Sequence, residues 1–215
     1  MKFFELLNEE VQEEARAGRI YGAVVGVVTN NQDPDKLGRV KVKFPWLSSI
    51  DESSWARVAA PMAGKDRGAY FLPEVNDEVL VAFEHGDVRF PYVLGALWNG
   101  KDAPPVTNDD GKNNVRMIKS RSGHVVKLND EDGKETIEII DKSQKNSIVI
   151  DTANNTITVT SNKDITLSAS QGTIKLDAQK VEISSSDATK LKSGSTMNVE
   201  ASGTMTVKGA TVNIN

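Results

Sequence analysis

Two histidines, His85 in "FEHGD" and His124 in "SGHVV", are the only imidazoles in the chain, and Glu84 and Asp87 flank the first. An imidazole between two carboxylates could move a proton, and no other stretch comes as near to an acid–base cluster. Neither histidine belongs to an HxH, HxxxH or HExxH pattern, so the spacing that turns two imidazoles toward one zinc ion is missing. There is no cysteine, which removes thiolate ligands, disulfides and a cysteine nucleophile together. "GKDRG" at 64–68 is too short for a phosphate-binding loop and lacks its Ser or Thr. The many hydroxyls of the second half include no GxSxG elbow. "FEHGD" reads as a strand end and a turn, so a structural or surface role is expected for His85. The sequence therefore leads us to expect no enzyme, no cofactor and no metal.

Charge narrows the partners. A net charge of −4 opposes a protein that gains affinity by neutralising phosphates, and nucleic acid is not an expected partner. "MKFFELLNEEVQEEARAGR" lacks the unbroken apolar stretch of a signal peptide, and no run of eighteen apolar residues occurs, so assembly in the cytoplasm is expected.

The chain changes character near residue 100. All six Phe, three Trp and three Tyr lie at or before Trp98, and all seven Pro at or before Pro105. The Gly-, Pro-, Asn- and Asp-rich "GKDAPPVTNDDGKNN" carries no hydrophobic period and reads as a linker. Four segments are expected: an amphipathic helix over 1–18, a barrel over 19–99, a linker over 100–124 and a repeat over 125–215. In the first, Phe3, Phe4, Leu7 and Val11 form an apolar stripe among glutamates. That stripe packs on its own domain or docks on a neighbouring subunit. In the second, five short strand-like runs fill about eighty residues, and "RVKVKF" alternates strictly, with Val40, Val42 and Phe44 on one face. A small oligonucleotide/oligosaccharide-binding (OB) barrel is the natural candidate.

"GRVKVKFPWL" followed by "SWARVAAPMAGKDRGAYFLPEVNDEVLVAFEHGDVRFPYVLGALWNGKDAPP" resembles the OB domain of the VgrG and baseplate-protein-V spikes of contractile injection systems. The resemblance covers roughly residues 20–105. It implies a puncturing needle, a trimeric β-helix, after the barrel. The chain is expected to lack the large hub domain that precedes the barrel in full-length VgrG proteins, and to carry no inserted or appended effector. The implied object is a short spike in a phage-tail-like particle, seated on a separately encoded hub, with possible effector cargo and contact with a target membrane only on firing. Some similar spikes close their apex with HxH iron ligands; "KGATVNIN" has none, so a blunt tip capped by a PAAR-type protein at Val212 and Ile214 is expected.

The repeat leads to the same object without the family. Pairs of apolar residues two apart recur down the chain: Ile157 and Val159, Ile165 and Leu167, Ile174 and Leu176, Val181 and Ile183. After Leu191, whose partner is Thr189, come Met197 and Val199, then Met205 and Val207. Successive second members are separated by steps of 7 to 9 residues, and each pair shares one face of a strand of about three residues. Upstream, Leu128, Ile139 and Ile150 stand 11 apart, implying longer strands. A repeat this short supplies one wall of a prism, not a whole coil. Three chains wound about one axis would bury every pair inside, so an all-β homotrimer follows from repeat length. The competing readings are an OB module gripping nucleic acid or glycan, a polysaccharide-binding or -cleaving tailspike, and a disordered Ser/Thr-rich tail.

Overall fold

The computed structural model describes residues 18–48 and 50–214. The helix expected over 1–18, with its stripe of Phe3, Phe4, Leu7 and Val11, falls almost wholly outside them. Among the described residues the structure is all-β, with a single 3-10 turn at Glu84–Gly86.

Residues up to Trp98 form the barrel from β1 (Val24–Asn30), β2 (Lys41–Lys43), β3 (Arg57–Val58), the small hairpin β4 (Ala63–Gly64) and β5 (Arg67–Gly68), β6 (Glu78–Phe83) and β7 (Pro91–Ala96). Its sheet runs β2-β1-β6-β7-β3, antiparallel throughout except for the parallel β3–β7 pair. Val40 N donates to Ala56 O (3.0 Å) and Ala56 N to Val40 O (2.7 Å), so the two ends of the sheet meet and it curls into an OB-like barrel. Closure removes the exposed edges that an open sheet would leave.

Alternation fills the interior. Val40, Val42 and Phe44 from "RVKVKF" and Val79, Val81 and Phe83 from β6 are buried, together with Val28, Ala56 and Val93. Phe44 and Phe83 meet edge to face, 5.5 Å between centroids. Gly26 also faces inward, where a Cβ would overlap the Val42 side chain and sit 3.1 Å from Phe44 Cε1. Glycine there lets β1 approach β2 closely.

A second sheet follows: β8 (Val115–Lys119), β9 (Val125–Asn129), β10 (Thr136–Ile140), β11 (Ser147–Asp151) and β12 (Thr156–Thr160), a continuous antiparallel meander. The strand β8 lies inside the stretch read as linker. The 11-residue spacing upstream corresponds to five-residue strands joined by turns, and polar side chains fix those turns. Asp141 accepts from the backbone of Lys145 (3.2 Å) and Asn146 (3.1 Å), and Asp151 from that of Asn154 (2.9 Å).

Residues from Ser161 onward form a separate unit. Its described residues contain no strand, and Gly172 N to Ala169 O, 3.4 Å, is the one main-chain hydrogen bond among them. The backbone is extended and bends at 162–163, 170–172, 179, 186–187, 194–195, 202–203 and 210–211, about every eight residues. Serine hydroxyls mark several bends by donating three residues on: Ser161 to Asp164 O (3.2 Å), Ser185 to Ala188 O (3.1 Å) and Ser193 to Thr196 O (2.8 Å).

Candidate functional site

The residues with chemical potential are all occupied elsewhere. Glu84 accepts from the Tyr92 hydroxyl (2.7 Å), while Asp87 pairs with Arg89 (2.6 Å). The Arg89 guanidinium, helped by its backbone amide, holds Asp87 down at about 2. His85 occupies a left-handed turn, φ 49°, where its carbonyl takes a bond from Arg19 (3.1 Å). The carboxylates of Glu84 and Asp87 are thus bonded to Tyr92 and Arg89. His124 Nδ1 accepts from the Lys142 amide (3.2 Å), fixing a turn. Among the described residues, no group of three or more His, Asp or Glu could hold a metal ion, and no helix is long and apolar enough to cross a membrane.

The basic face of "RVKVKF" is similarly neutralised. Arg39 pairs with Asp33 (2.7 Å) and Asp35 (2.6 Å), and Lys41 with Glu52 (3.2 Å). Arg39 and three backbone amides hold the Asp33 carboxyl far below the usual carboxylate range against the opposing effect of desolvation. A groove that tracks phosphates needs free cations beside its aromatics, and here two of the three basic residues carry carboxylate partners.

Apolar chemistry is what remains unsatisfied, and it is ordered. Cross-strand pairing aligns Ile118, Val126, Ile139, Ile148 and Val159 in one row across the meander, and Arg116, Leu128, Ile137, Ile150 and Ile157 in the next. Both rows share one face, and its aliphatics, Ile150 apart, remain 41–71% exposed. Arg116 closes the edge by pairing with Asp130. The opposite face is polar at its centre: Lys127 bridges to Glu138 (2.8 Å), which also accepts from Thr136 (2.8 Å). Burial pushes the Glu138 carboxyl up, but these two bonds outweigh it and leave it lowered.

The repeat continues the exposure with a regular signature. First members of the pairs, such as Ile165, Ile174, Val181, Met197 and Met205, are 49–55% exposed, and second members, such as Leu167, Leu176, Ile183, Leu191, Val199 and Val207, are 66–72% exposed. Each repeat thus has nearly the same local environment. Val212 and Ile214 end the series, also exposed. Exposed aliphatics in this number and order mark a surface for interaction. Sequence reasoning named the downstream pairs and passed over Ile118, Val126, Ile137 and Ile148. The signal was present in the two-apart pairs Val126/Leu128, Ile137/Ile139 and Ile148/Ile150.

Comparison with known proteins places the barrel. Residues 24–98 match the family described as the type VI secretion system/phage-baseplate injector OB domain. The chain is similar to the type VI secretion system spike protein VgrG3 of Vibrio cholerae, 37% identical over 99 residues, covering 44% of this chain and 10% of that protein. It also resembles the actin cross-linking toxin VgrG1 of the same species, 32% identical over 128 residues, 56% of this chain and 12% of the relative. Spike protein VgrG1a of Pseudomonas aeruginosa is 28% identical over 126 residues, 54% and 20% respectively. The matched stretch is therefore a fifth or less of each of these relatives.

Proposed function

We propose that this chain, whose residues 24–98 are a VgrG-like injector OB domain, is the central spike of a contractile injection apparatus, with three copies wound into one needle and no catalytic role of its own. The observation that carries the proposal is the open aliphatic surface, two registered rows on the meander and a pair every eight residues in the repeat. Three copies turned about one axis would bring those surfaces together, and each short strand would find backbone partners on other copies. A structural role also suits a barrel whose titratable groups are engaged in fixing turns. The actin cross-linking named for one relative belongs to a protein of which the match covers 12%.

In this reading Ile157, Val159, Ile165, Leu167 and their successors to Val207 line the trimer axis. The stripe of Phe3, Phe4, Leu7 and Val11 seats the spike on a separate hub protein. The far end, Val212 and Ile214, takes a PAAR-type tip through its open aliphatic core. Light scattering on the pure protein tests the central claim: a mass of about 70 kDa is expected, three chains of 23.4 kDa. A monomeric mass refutes it. Deleting 1–18 should leave the trimer intact but cut its incorporation into particles. Deleting 208–215 should weaken co-purification of the tip protein.

A further inference from the structure

Alternation gives every triplet of the repeat a central residue on the side opposite its aliphatics: Thr166, Lys175, Glu182, Lys190, Asn198 and Thr206. All are uncharged except three consecutive ones, and these read plus, minus, plus. The charged stretch coincides with the weakest point of the aliphatic series, where Thr189 stands in place of the first apolar residue before Leu191. In the single chain Lys175 pairs with Asp177 (3.0 Å) and Lys180 with Glu182, each pair within one extended segment and with side chains 73–79% open to solvent. Exposed pairs of this kind hold their partners only weakly, and Lys190 stands one triplet further on.

Three copies that wind in one sense lay strands on each face of the prism in a fixed order, a given triplet of one copy beneath the next triplet of another. Neighbouring strands run parallel there, roughly 4.8 Å apart, so central residues of successive triplets stand side by side. We propose that Glu182 is a register lock, clasped between Lys175 of a second copy on one side and Lys190 of a third on the other. The arrangement rests on the trimer reading and adds to it a choice of winding. Stacking successive triplets joins opposite charges, whereas stacking every second triplet would set Lys175 against Lys190. The occupant of this charged column is a further copy of the same chain, identified by charge complementarity. The lock stands where the core has a hydroxyl and specifies its register least.

The test compares Glu182→Lys with Asp187→Lys, a change of equal charge at the 186–187 bend, in the full-length protein. Mass and melting temperature are followed at low and high salt. Glu182→Lys should lower the melting temperature of the trimer by about 5 °C or more, and Asp187→Lys by much less. High salt should shrink the difference. The inverted column Lys175→Glu/Glu182→Lys/Lys190→Glu should recover most of the loss, since minus, plus, minus restores every pair. A wild-type monomer overturns the trimer and the lock together. A wild-type trimer in which both single variants melt alike, or in which the inverted column is no better than Glu182→Lys, overturns the lock and leaves the trimer standing.

Discussion

Val79, Val81 and Val93 in the barrel are fully buried, whereas Val181, Val199 and Val207 in the repeat are 53%, 66% and 69% exposed, although both sets lie on extended backbone. The difference is whether neighbouring segments of the same chain pair with one another. The six or seven residues of β1, β6 and β7 are enough for a sheet to curl until Val40 meets Ala56. Five-residue strands in the meander still form a complete ladder, and the aliphatics of one face, Ile150 apart, stay 41–71% exposed. The repeat has six residues between bends, as many as β6, yet its described residues form no ladder with one another. In the proposed trimer, dependence on other copies would rise along the chain as pairing within the chain falls away.

The largest effect should come from a charge placed where only other copies can cover it. Leu191→Asp would bury three carboxylates about one axis, costing several kcal/mol each unless they protonate. Loss of the trimer is expected, with the barrel still folded, as read by light scattering beside circular dichroism. A soluble trimer carrying Leu191→Asp would show that Leu191 points outward and that the register is wrong.

The second prediction works from the other side of the comparison. Gly26→Val forces a side chain into the space held by Val42, which is fully buried and has nowhere to retreat. Overpacking of this kind costs about 1–3 kcal/mol. It should lower the melting transition of the barrel while the spike stays trimeric, and Gly26→Ala should fall between the two. Equal loss of both transitions would mean that barrel and spike unfold as one unit.

These two predictions differ in how well the sequence supports them. The alternation of Val40, Val42 and Phe44 was legible because each residue has only two directions to point, and the structure buries all three. The 11-residue spacing of Leu128, Ile139 and Ile150 was legible for the same reason. A small OB barrel was expected from five short strand-like runs, but not which residues close it, because β3 has two residues and the closing contact is made by backbone atoms of Val40 and Ala56, which no side-chain pattern marks. Nor was β8: in "VRMIK" the apolar face carries Arg116 and Ile118 while Met117 points the other way, so alternation is scrambled and the stretch read as linker. The central residues Lys175, Glu182 and Lys190 were legible from the same two-apart pairs that mark the repeat.

The smallest effect concerns the turns that let the meander fold without help from other copies. Hydrogen bonds from Ser143, with the Asn146 backbone and side chain, hold Asp141 at about 2 against desolvation, well below the value of about 4 for a free carboxyl in the unfolded chain. A carboxyl whose folded value is depressed contributes stability that is fully present above the unfolded value and is lost as pH falls through the folded one. The loss should therefore fall between about pH 4 and about pH 2. Asp87 on the barrel, held at about 2 by Arg89, titrates in the same window, so acid should weaken both self-folding regions together. Asp141→Asn keeps the shape of the turn but removes the titration. It should be slightly less stable than the parent at pH 7 and should approach it as pH drops to 2, so that the two melting curves converge. Curves that stay parallel from pH 7 to pH 2 would mean that the Asp141 charge does no work in the turn, and that the meander's independence of other copies rests on its ladder alone.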